Sequence, residues 1–189
     1  MDDGKHTQRG RIEATQAALG DAMLTMGCDR QVVYFDLRLV SHEAIRKREM
    51  KILLAVDGSA YTHRALAYIA AHDEWLGQRH EYHVLHAVMA VPHRAAAFAG
   101  PDMTRRFYED EAETVLRPVR AFFAQQKIEA QFRWEIGHAS KIIAEEAERG
   151  RYDLVIMGSH GHGELASVVL GSTATQVLAR CKTPVLLLR

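Results

Sequence analysis

From Lys51 onward, short apolar runs alternate with longer amphipathic stretches. The first run, Lys51-Ile-Leu-Leu-Ala-Val56, is unbroken by polar residues after the lysine, which is typical of a strand buried on both faces. Comparable runs predict four further strands, at residues 82–89, 128–136, 153–157 and 183–188. Short buried strands that alternate with helices favour a parallel sheet covered on both faces.

The segments between these runs have helical spacing. Apolar residues at 3–4 spacing predict a helix around Ala65 and Ile69, and further helices are predicted at 103–126, 139–149 and 172–181. Residues 90–102, rich in Pro, Ala and Gly, are interpreted as a loop. Pro118 falls inside the second helix, where it predicts a kink or a break.

Right-handed crossovers between such strands give a doubly wound, five-stranded parallel sheet. In this architecture ligands bind beyond the carboxyl ends of the strands, at the point where the strand order reverses. The segments to examine are therefore those that follow Val56, His86 and Met157.

Composition excludes several classes of protein. The 189 residues carry 24 basic and 24 acidic side chains, so bulk electrostatic binding of nucleic acid is not expected. No apolar run approaches the roughly 20 residues that span a bilayer, and the polar N-terminus does not resemble a signal peptide. The two cysteines, Cys28 and Cys181, form no paired motif, which favours a reducing, cytoplasmic location.

The loop after the fourth predicted strand has the most informative pattern. Its glycines stand at positions 158, 161 and 171, in the frame G-x2-G-x9-G-S. Gly158 and Gly161 would allow positive φ angles and a close approach of the backbone to a ligand. Gly171 and Ser172 stand where a helix begins, and the free N–H groups of a helix N-terminus attract anions. Ser172 and Thr173 can cap the helix and add hydroxyl donors.

Two nucleotide-binding fingerprints are absent. No lysine follows these glycines, so the loop is not a Walker A motif, and they do not run G-x-G-x-x-G after the first strand. Asp57, directly after the first strand, could accept hydrogen bonds from a ribose or an adenine amino group. It could equally be a turn or helix-capping residue, and geometry alone leaves both interpretations open.

Residues 50–189 resemble the universal stress protein family. The resemblance rests on the opening MKILLAVDGS, the strand Asp153-Leu-Val-Ile-Met-Gly158, the glycine frame and the terminal Thr183-Pro-Val-Leu-Leu, in that order. It implies an adenine-nucleotide alpha-hydrolase-like fold. The complete glycine frame marks the branch of the family that binds ATP.

The resemblance also implies which residues bind the nucleotide. Val56 and Asp57 would contact adenine and ribose, Ala87 would line the adenine pocket, and Met157 and Gly158 would flank the base and sugar. The phosphates would be held by Gly161, Gly171, Ser172 and Thr173, with Mg²⁺ bound through the phosphates. His162 stands where many members have a basic residue, and a neutral imidazole would support a triphosphate less well above pH 6.5.

Neither a metal site nor dedicated catalysis is predicted. His83 and His86 are three apart on a strand and therefore point to opposite faces, so they do not join His160 and His162 as ligands. The glycine loop has no lysine, arginine or paired carboxylate for phosphoryl transfer, and Glu164 is expected to be a solvated loop residue. At most slow ATP hydrolysis is expected.

Two functions remain open from the sequence, beside a weaker third, a phosphotransferase or hydrolase. The first is a regulatory ATP-binding protein of the stress response. The second is a dimeric interaction protein that binds no nucleotide. Dimerisation is expected in both, because the apolar strand Val185–Leu188 is predicted to lie at a sheet edge, which the family commonly pairs between subunits.

Residues 1–49 match no part of the family pattern. Apolar spacing suggests a weak helix at 12–26, and alternation suggests a strand at 31–40. This extension could be an accessory segment packed on the domain, or a product of start-site choice, with the native chain beginning at Met50. It holds eight basic and eight acidic residues, so residues 50–189 are neutral by themselves.

Overall fold

The computed structural model describes residues 23–25, 34–36, 49–162 and 170–189. In the N-terminal part, β1 (Met23–Thr25) pairs antiparallel with β2 (Tyr34–Asp36). From residue 50 the order is β3 (Lys51–Val56), α1 (Ala60–Ala71), α2 (Asp73–Leu76), β4 (Glu81–Val88), α3 (His93–Ala99), α4 (Pro101–Gln126), β5 (Ala130–Ile136), α5 (Ala139–Arg149), β6 (Leu154–Gly158), α6 (Ser172–Arg180) and β7 (Val185–Leu188).

The five strands β3 to β7 form one parallel sheet in the order β5-β4-β3-β6-β7. The chain winds from β3 outward through β4 to β5, returns to the other side of β3 as β6, and ends at the edge with β7. This arrangement confirms the predicted five-stranded α/β sheet. The strand order reverses between β3 and β6, so a crevice is expected beyond their carboxyl ends.

Alternate side chains of the buried strands feed two separate cores, because successive residues of a strand point to opposite faces. Ile52 and Leu54 of β3 pack with Leu66 and Ile69 of α1 and with Phe123 of α4. On the opposite face, the core contains side chains of β3, α5 and α6, namely Leu53, Ala55, Ile142, Ile143 and Val177. The sheet is therefore covered by helices on both faces, as predicted.

Two sequence predictions were wrong, the break at Pro118 and the loop at 90–102. Pro118 does not break α4, which continues from Pro101 to Gln126. Both Pro118 and Thr114, whose carbonyl loses its helical donor, are exposed, so water can satisfy that oxygen, while Leu116 and Phe123 are buried on the other side. The predicted loop at 90–102 contains α3, because its alanines favour helix between the N-cap Pro92 and the C-cap Gly100, whose φ is +83°.

The N-terminal predictions can be compared only at six residues. The predicted strand at 31–40 is confirmed at Tyr34–Asp36. The predicted helix at 12–26 is wrong at Met23–Thr25, where pairing with β2 replaces the weak helical stripe that Gly20 already interrupts. The rest of both segments lies outside the described residues. β2 lies beside β7, with Cα atoms of the two strands within 8 Å of each other.

Candidate functional site

A cavity of about 650 Å³ opens beyond the carboxyl ends of the central strands. It occupies the crevice between β3 and β6 and extends under the loop that leads into α6. All nine residues singled out from the sequence line it: Val56, Asp57, Ala87, Met157, Gly158, Gly161, Gly171, Ser172 and Thr173. The structure therefore brings together residues from three strand ends and one helix start that are up to 117 positions apart.

One end of the cavity is apolar. It is formed by the strand residues Ala55, Leu85, Ala87 and Met157 and by Ile143 of α5. Sequence analysis named Ala87 and Met157 but missed the others, although Ala55 and Leu85 lie on the sheet face that α5 covers. Ile143 could have been found from the apolar side of the predicted helix at 139–149, which also carries Ile142 and Ala147. An apolar wall of this kind suits an aromatic base.

Asp57 has one of the two roles that the sequence left open, that of a turn residue, and its role in ligand binding stays a prediction. Its Oδ1 accepts hydrogen bonds from the Ser59 N–H at 3.0 Å and from the Thr62 hydroxyl at 2.8 Å, which fixes the turn into α1. Ser59 is the N-cap, and its side chain accepts a bond from the Tyr61 N–H. Oδ2 of Asp57 is directed toward Gly161 in the cavity lining. One carboxylate oxygen thus supports the turn while the other faces the cavity.

The first two glycines of the frame are required by close contact. Neither Gly158 nor Gly161 is among the described glycines with positive φ, so neither uses the backbone freedom that glycine allows. A Cβ at Gly161 would lie 2.7 Å from Oδ2 of Asp57, and one at Gly158 would lie 2.6 Å from the Cβ of Tyr61. Both distances are shorter than van der Waals contact. The absence of a side chain therefore lets the loop at Gly161 lie against Asp57, and lets the end of β6 at Gly158 lie against α1.

The start of α6 faces the same cavity. Gly171 is its N-cap, with φ −68° and ψ 157°, and no side chain caps the helix. The sequence had suggested that Ser172 and Thr173 cap the helix. They are instead its first helical residues. The N–H groups of a helix's first turn lack intrahelical acceptors, and together with two hydroxyls they form a donor-rich end to the cavity.

Two histidines complete the loop side of the cavity. Nε2 of His162 lies 2.7 Å from the backbone oxygen of Asp57 and therefore donates to it, fastening the loop to the end of β3. Nδ1 of His160 lies 3.0 Å from the buried Ser159 hydroxyl, and its ring packs on Tyr61 with centroids 5.2 Å apart. The sequence identified His162 only as a departure from the family pattern and gave no role to His160.

The remaining histidines of the sequence pattern lie elsewhere. Nδ1 of His86 donates to the Val56 oxygen at 2.8 Å, whereas His83 is bonded to Glu81. Within the described residues, no three His, Cys, Asp or Glu side chains converge to hold a metal. No helix in ranges 49–162 and 170–189 combines the length and apolar character needed to cross a bilayer.

The fold and the site together define the class of this protein. It is a doubly wound α/β domain with a glycine-lined cavity where the strand order reverses. The model of the universal stress protein family matches residues 50–189. This match covers most of the chain, so the protein belongs to the universal stress protein family.

Relatives with similar sequences carry the same family name. A universal stress protein encoded in the QAH/OAS sulfhydrylase 3′ region of Thermus aquaticus is 33% identical over 139 residues, which are 73% of this chain and 97% of that protein. Universal stress protein Slr1230 of Synechocystis is 43% identical over 54 residues, but these are 29% of this chain and only 19% of that protein.

Solved structures confirm the fold. Universal stress protein UspA from Lactobacillus plantarum superposes with a TM-score of 0.62, with 19% identity over 76% of this chain and all of that one. A family member from Arabidopsis thaliana with AMP bound has a TM-score of 0.53, with 14% identity over 73% of this chain and 90% of that one. A member from Archaeoglobus fulgidus in complex with dAMP also scores 0.53, with 19% identity over 74% and 98%.

Proposed function

We propose that this chain is a regulatory protein that binds adenine nucleotides, with ATP as its ligand in the cell. The observation that carries the proposal is the cavity at the reversal of strand order, which the complete glycine frame and Asp57 line together. The AMP and dAMP complexes of two structural neighbours support an adenine nucleotide as the class of ligand.

Each part of the cavity suits one part of the nucleotide. The apolar wall at Ala87 and Met157 would hold the adenine, next to Val56. Oδ2 of Asp57 would accept a hydrogen bond from a ribose hydroxyl near Gly158. The backbone at Gly161 and Gly171, with the N–H groups and hydroxyls of Ser172 and Thr173, would hold the phosphates. Mg²⁺ would bind through the phosphate oxygens, since it typically uses few protein ligands.

The cavity favours binding over catalysis. Phosphoryl transfer needs charge stabilisers for the γ-phosphate and a positioned base. Among the described lining residues there is no lysine or arginine, and Asp57 is the single carboxylate. We therefore propose a module that changes with nucleotide occupancy and turns ATP over slowly at most. A cytoplasmic location is part of this proposal and rests on the cysteine usage.

The domain division and the dimer are proposed alongside. Residues 50–189 would be the nucleotide-binding domain and residues 1–49 an extension. β7 is the edge strand of the five-stranded sheet, and a homodimer would form through it. The same edge supports the second candidate function, a dimeric interaction protein that binds no nucleotide, since it would use this edge without the cavity.

Two measurements test the proposal. Denaturing freshly purified protein and chromatographing the supernatant should release ATP, and adding ATP to stripped protein should raise its melting temperature. Gly171→Asp should abolish this rise, because it places a negative charge where the phosphates would lie. Thr175→Ala is the matched control, since that hydroxyl donates to the Gly171 oxygen within α6 and does not line the cavity.

Protein that carries no adenine nucleotide and shows no melting shift with ATP, ADP or AMP would contradict the proposal. A dimer that functions normally with Gly171→Asp would then establish the second candidate function.

A further inference from the structure

We propose that protonation of His160 and His162 controls how tightly this cavity holds a phosphorylated adenine ligand, so that binding strengthens as the pH falls. The inference rests on the proposed nucleotide-binding function and names a regulation of that same site. It follows from the charges of the cavity lining and from the hydrogen bonds that the two imidazoles already make.

The loop and helix that face the phosphates carry no permanent positive charge. In the sequence from Gly158 through Leu178 there is no lysine or arginine, and the only basic side chains are His160 and His162. Both line the cavity, where the remaining charged side chain among the described lining residues is Asp57. With neutral imidazoles the described lining is formally −1, and with both protonated it is formally +1.

Protonation of His162 keeps the bond that positions it. A carbonyl oxygen can only accept, so Nε2 carries the hydrogen in the 2.7 Å bond to Asp57. In the neutral ring, Nδ1 is then a bare lone pair, which repels a phosphate oxygen. In the charged ring, Nδ1 is a donor, and the bond from Nε2 is unchanged. The ring thus changes from acceptor to donor without leaving its place.

His160 is equally compatible with a positive charge. Its Nδ1 lies 3.0 Å from the Ser159 hydroxyl, which can accept a hydrogen bond from the protonated ring. The face of the Tyr61 ring lies beside it, with centroids 5.2 Å apart, and aromatic faces favour neighbouring cations.

Other charged or titratable groups around the described histidines come from four parts of the fold, and Glu164, in the same loop, lies outside the described residues. From α1, the Arg64 guanidinium lies over the Tyr61 ring, 5.0 Å from the ring centroid, and Arg64 does not line the cavity. Asp57, after β3, contributes the carboxylate already counted. From β4, His86 is bonded to the Val56 oxygen, and before α5, His138 is exposed; neither lines the cavity. Among the described lining residues, the two loop histidines therefore hold the titratable positive charge of the phosphate end.

The expected effect follows from linkage. An anion beside an imidazole typically raises the pKa of that imidazole by one unit or more, and each unit corresponds to about a tenfold gain in affinity once the ring is protonated. ATP affinity should therefore rise about tenfold for each histidine engaged as the pH falls from about 8 to 5.5, the range in which imidazoles titrate.

The terminal phosphate of the ligand also takes up a proton, near pH 6, which lowers its charge and opposes the effect. The test therefore compares proteins and not pH values alone. Dissociation constants for ATP, AMP and adenosine are measured by calorimetry from pH 5.5 to 8. The proteins are the wild type, His160→Gln, His162→Gln and the double variant, with His63→Gln, an exposed histidine on α1, as the control.

The expected result is a pH-dependent ratio of wild-type to double-variant affinity for ATP. For ATP, this ratio should be large at pH 5.5 and near one at pH 8. For AMP, its change with pH should be smaller, and for adenosine the ratio should not change with pH. NMR titration of the wild-type imidazoles should show two signals whose midpoints move to higher pH when ATP is added, a readout that does not depend on any variant folding.

Two outcomes overturn the inference. Coincident pH profiles of the wild type and the double variant, with unmoved imidazole midpoints, would refute it while nucleotide binding stands. Absence of ATP binding at every pH would refute the proposed function, and the inference with it.

Discussion

The hydroxyl of Thr62 donates a 2.8 Å hydrogen bond to Oδ1 of Asp57. The same hydroxyl oxygen accepts bonds from the N–H groups of Asp57 and Gly58, at 3.1 and 3.2 Å. Thr62 is buried, whereas Asp57 is half-buried with Oδ2 facing the cavity. The turn after β3 and the proposed ribose contact therefore share one carboxylate but use different oxygens.

Substitutions at Thr62 and Asp57 should separate the stability of the fold from its affinity for ATP. Thr62→Val removes the hydroxyl at constant shape and leaves two backbone N–H groups without their acceptor, so the free energy of unfolding should fall by about 1–3 kcal/mol. Asp57→Asn can keep the acceptor at Oδ1 but places a donor at the cavity, so ATP affinity should fall with little loss of stability. Urea denaturation and calorimetry measure the two effects. Equal losses of affinity in both variants would show that the carboxylate acts only through the turn.

Gly161→Ala should weaken ATP binding more than it weakens the fold. The new Cβ would lie 2.7 Å from Oδ2 of Asp57, so the loop or the carboxylate must shift. Because the contact is at the edge of the cavity and not in either core, the free energy of unfolding should change by no more than about 1 kcal/mol. The ATP-induced rise in melting temperature should shrink. An unchanged rise would mean that this approach of loop and carboxylate is not needed for binding.

His80 should make the fold less stable as the pH falls. Its Nε2 donates to the Trp75 oxygen at 2.7 Å, and its Nδ1 accepts the Met50 N–H at 3.1 Å, a bond that a proton on Nδ1 would abolish. Burial lowers the pKa of His80, partly opposed by the bond to Trp75. The unfolded chain therefore binds this proton more readily, and stability is lost as the pH falls below about 6.5.

Urea denaturation at pH 7.5 and 5.5 tests this expectation. His80→Gln should be less stable than the wild type at pH 7.5 and should show a smaller loss on acidification. His63→Gln, at an exposed position on α1, should behave as the wild type does. A wild-type stability that does not change between the two pH values would contradict the argument.

Glu146 anchors a polar cluster on the α5 face of the sheet. Its side chain, 7% exposed, is bonded to Arg149, to Arg133 at 2.6 Å and to the Tyr152 hydroxyl at 3.1 Å. Burial alone would raise the pKa of Glu146, but the hydrogen bonds from Arg149 and Arg133 outweigh it and hold the pKa below its ordinary value. The stabilisation is therefore complete above that ordinary value and is lost as the pH falls below it.

Removal of this carboxylate should cost more than removal of its neutral partner. Glu146→Ala leaves the buried Tyr152 hydroxyl without its acceptor and removes the anion that the two arginines bind, so it should lower the free energy of unfolding by about 1–3 kcal/mol at pH 7. Tyr152→Phe removes one hydrogen bond and should cost about 1 kcal/mol. If the two variants are equally stable, the arginines contribute nothing measurable to this cluster.

Shortening the chain to residues 50–189 should strengthen dimerisation through β7. β2 lies beside this edge strand, so we expect it to hinder the pairing of a second copy with β7. The shortened chain is expected to fold, because its counterpart in Thermus aquaticus aligns over 97% of its own length. Sedimentation velocity at matched concentrations compares the two forms. A weaker dimer after shortening would place the interface in residues 1–49.

The strands and the glycine frame were predictable because each is a local pattern. Six consecutive residues make β3 recognisable, and the spacing of Gly158, Gly161 and Gly171 can be counted directly. The crevice followed from topology, because the carboxyl ends of parallel strands meet at one edge. The alternation of helices and strands was sufficient to place Asp57 and Ser172 at the same edge of the sheet, beyond the carboxyl ends of the strands.

Contacts between distant residues were not predictable from such patterns. Nothing near Gly161 in the sequence indicates that Asp57, 104 positions earlier, occupies the space of its missing Cβ. The bond from His162 to the Asp57 oxygen is hidden for the same reason. Pro118 was misjudged because the cost of a proline depends on whether the freed carbonyl reaches water, which the side of the helix decides.

The bond from His162 ends on the main chain of Asp57 and not on its carboxylate. Its partner oxygen is present whatever side chain stands at position 57. A relative could therefore have another residue in place of the aspartate, and so offer a ligand a different group, and still keep the hydrogen bond that holds the loop to the end of β3. At this contact, the attachment of the loop is independent of the side chain that would meet the ligand.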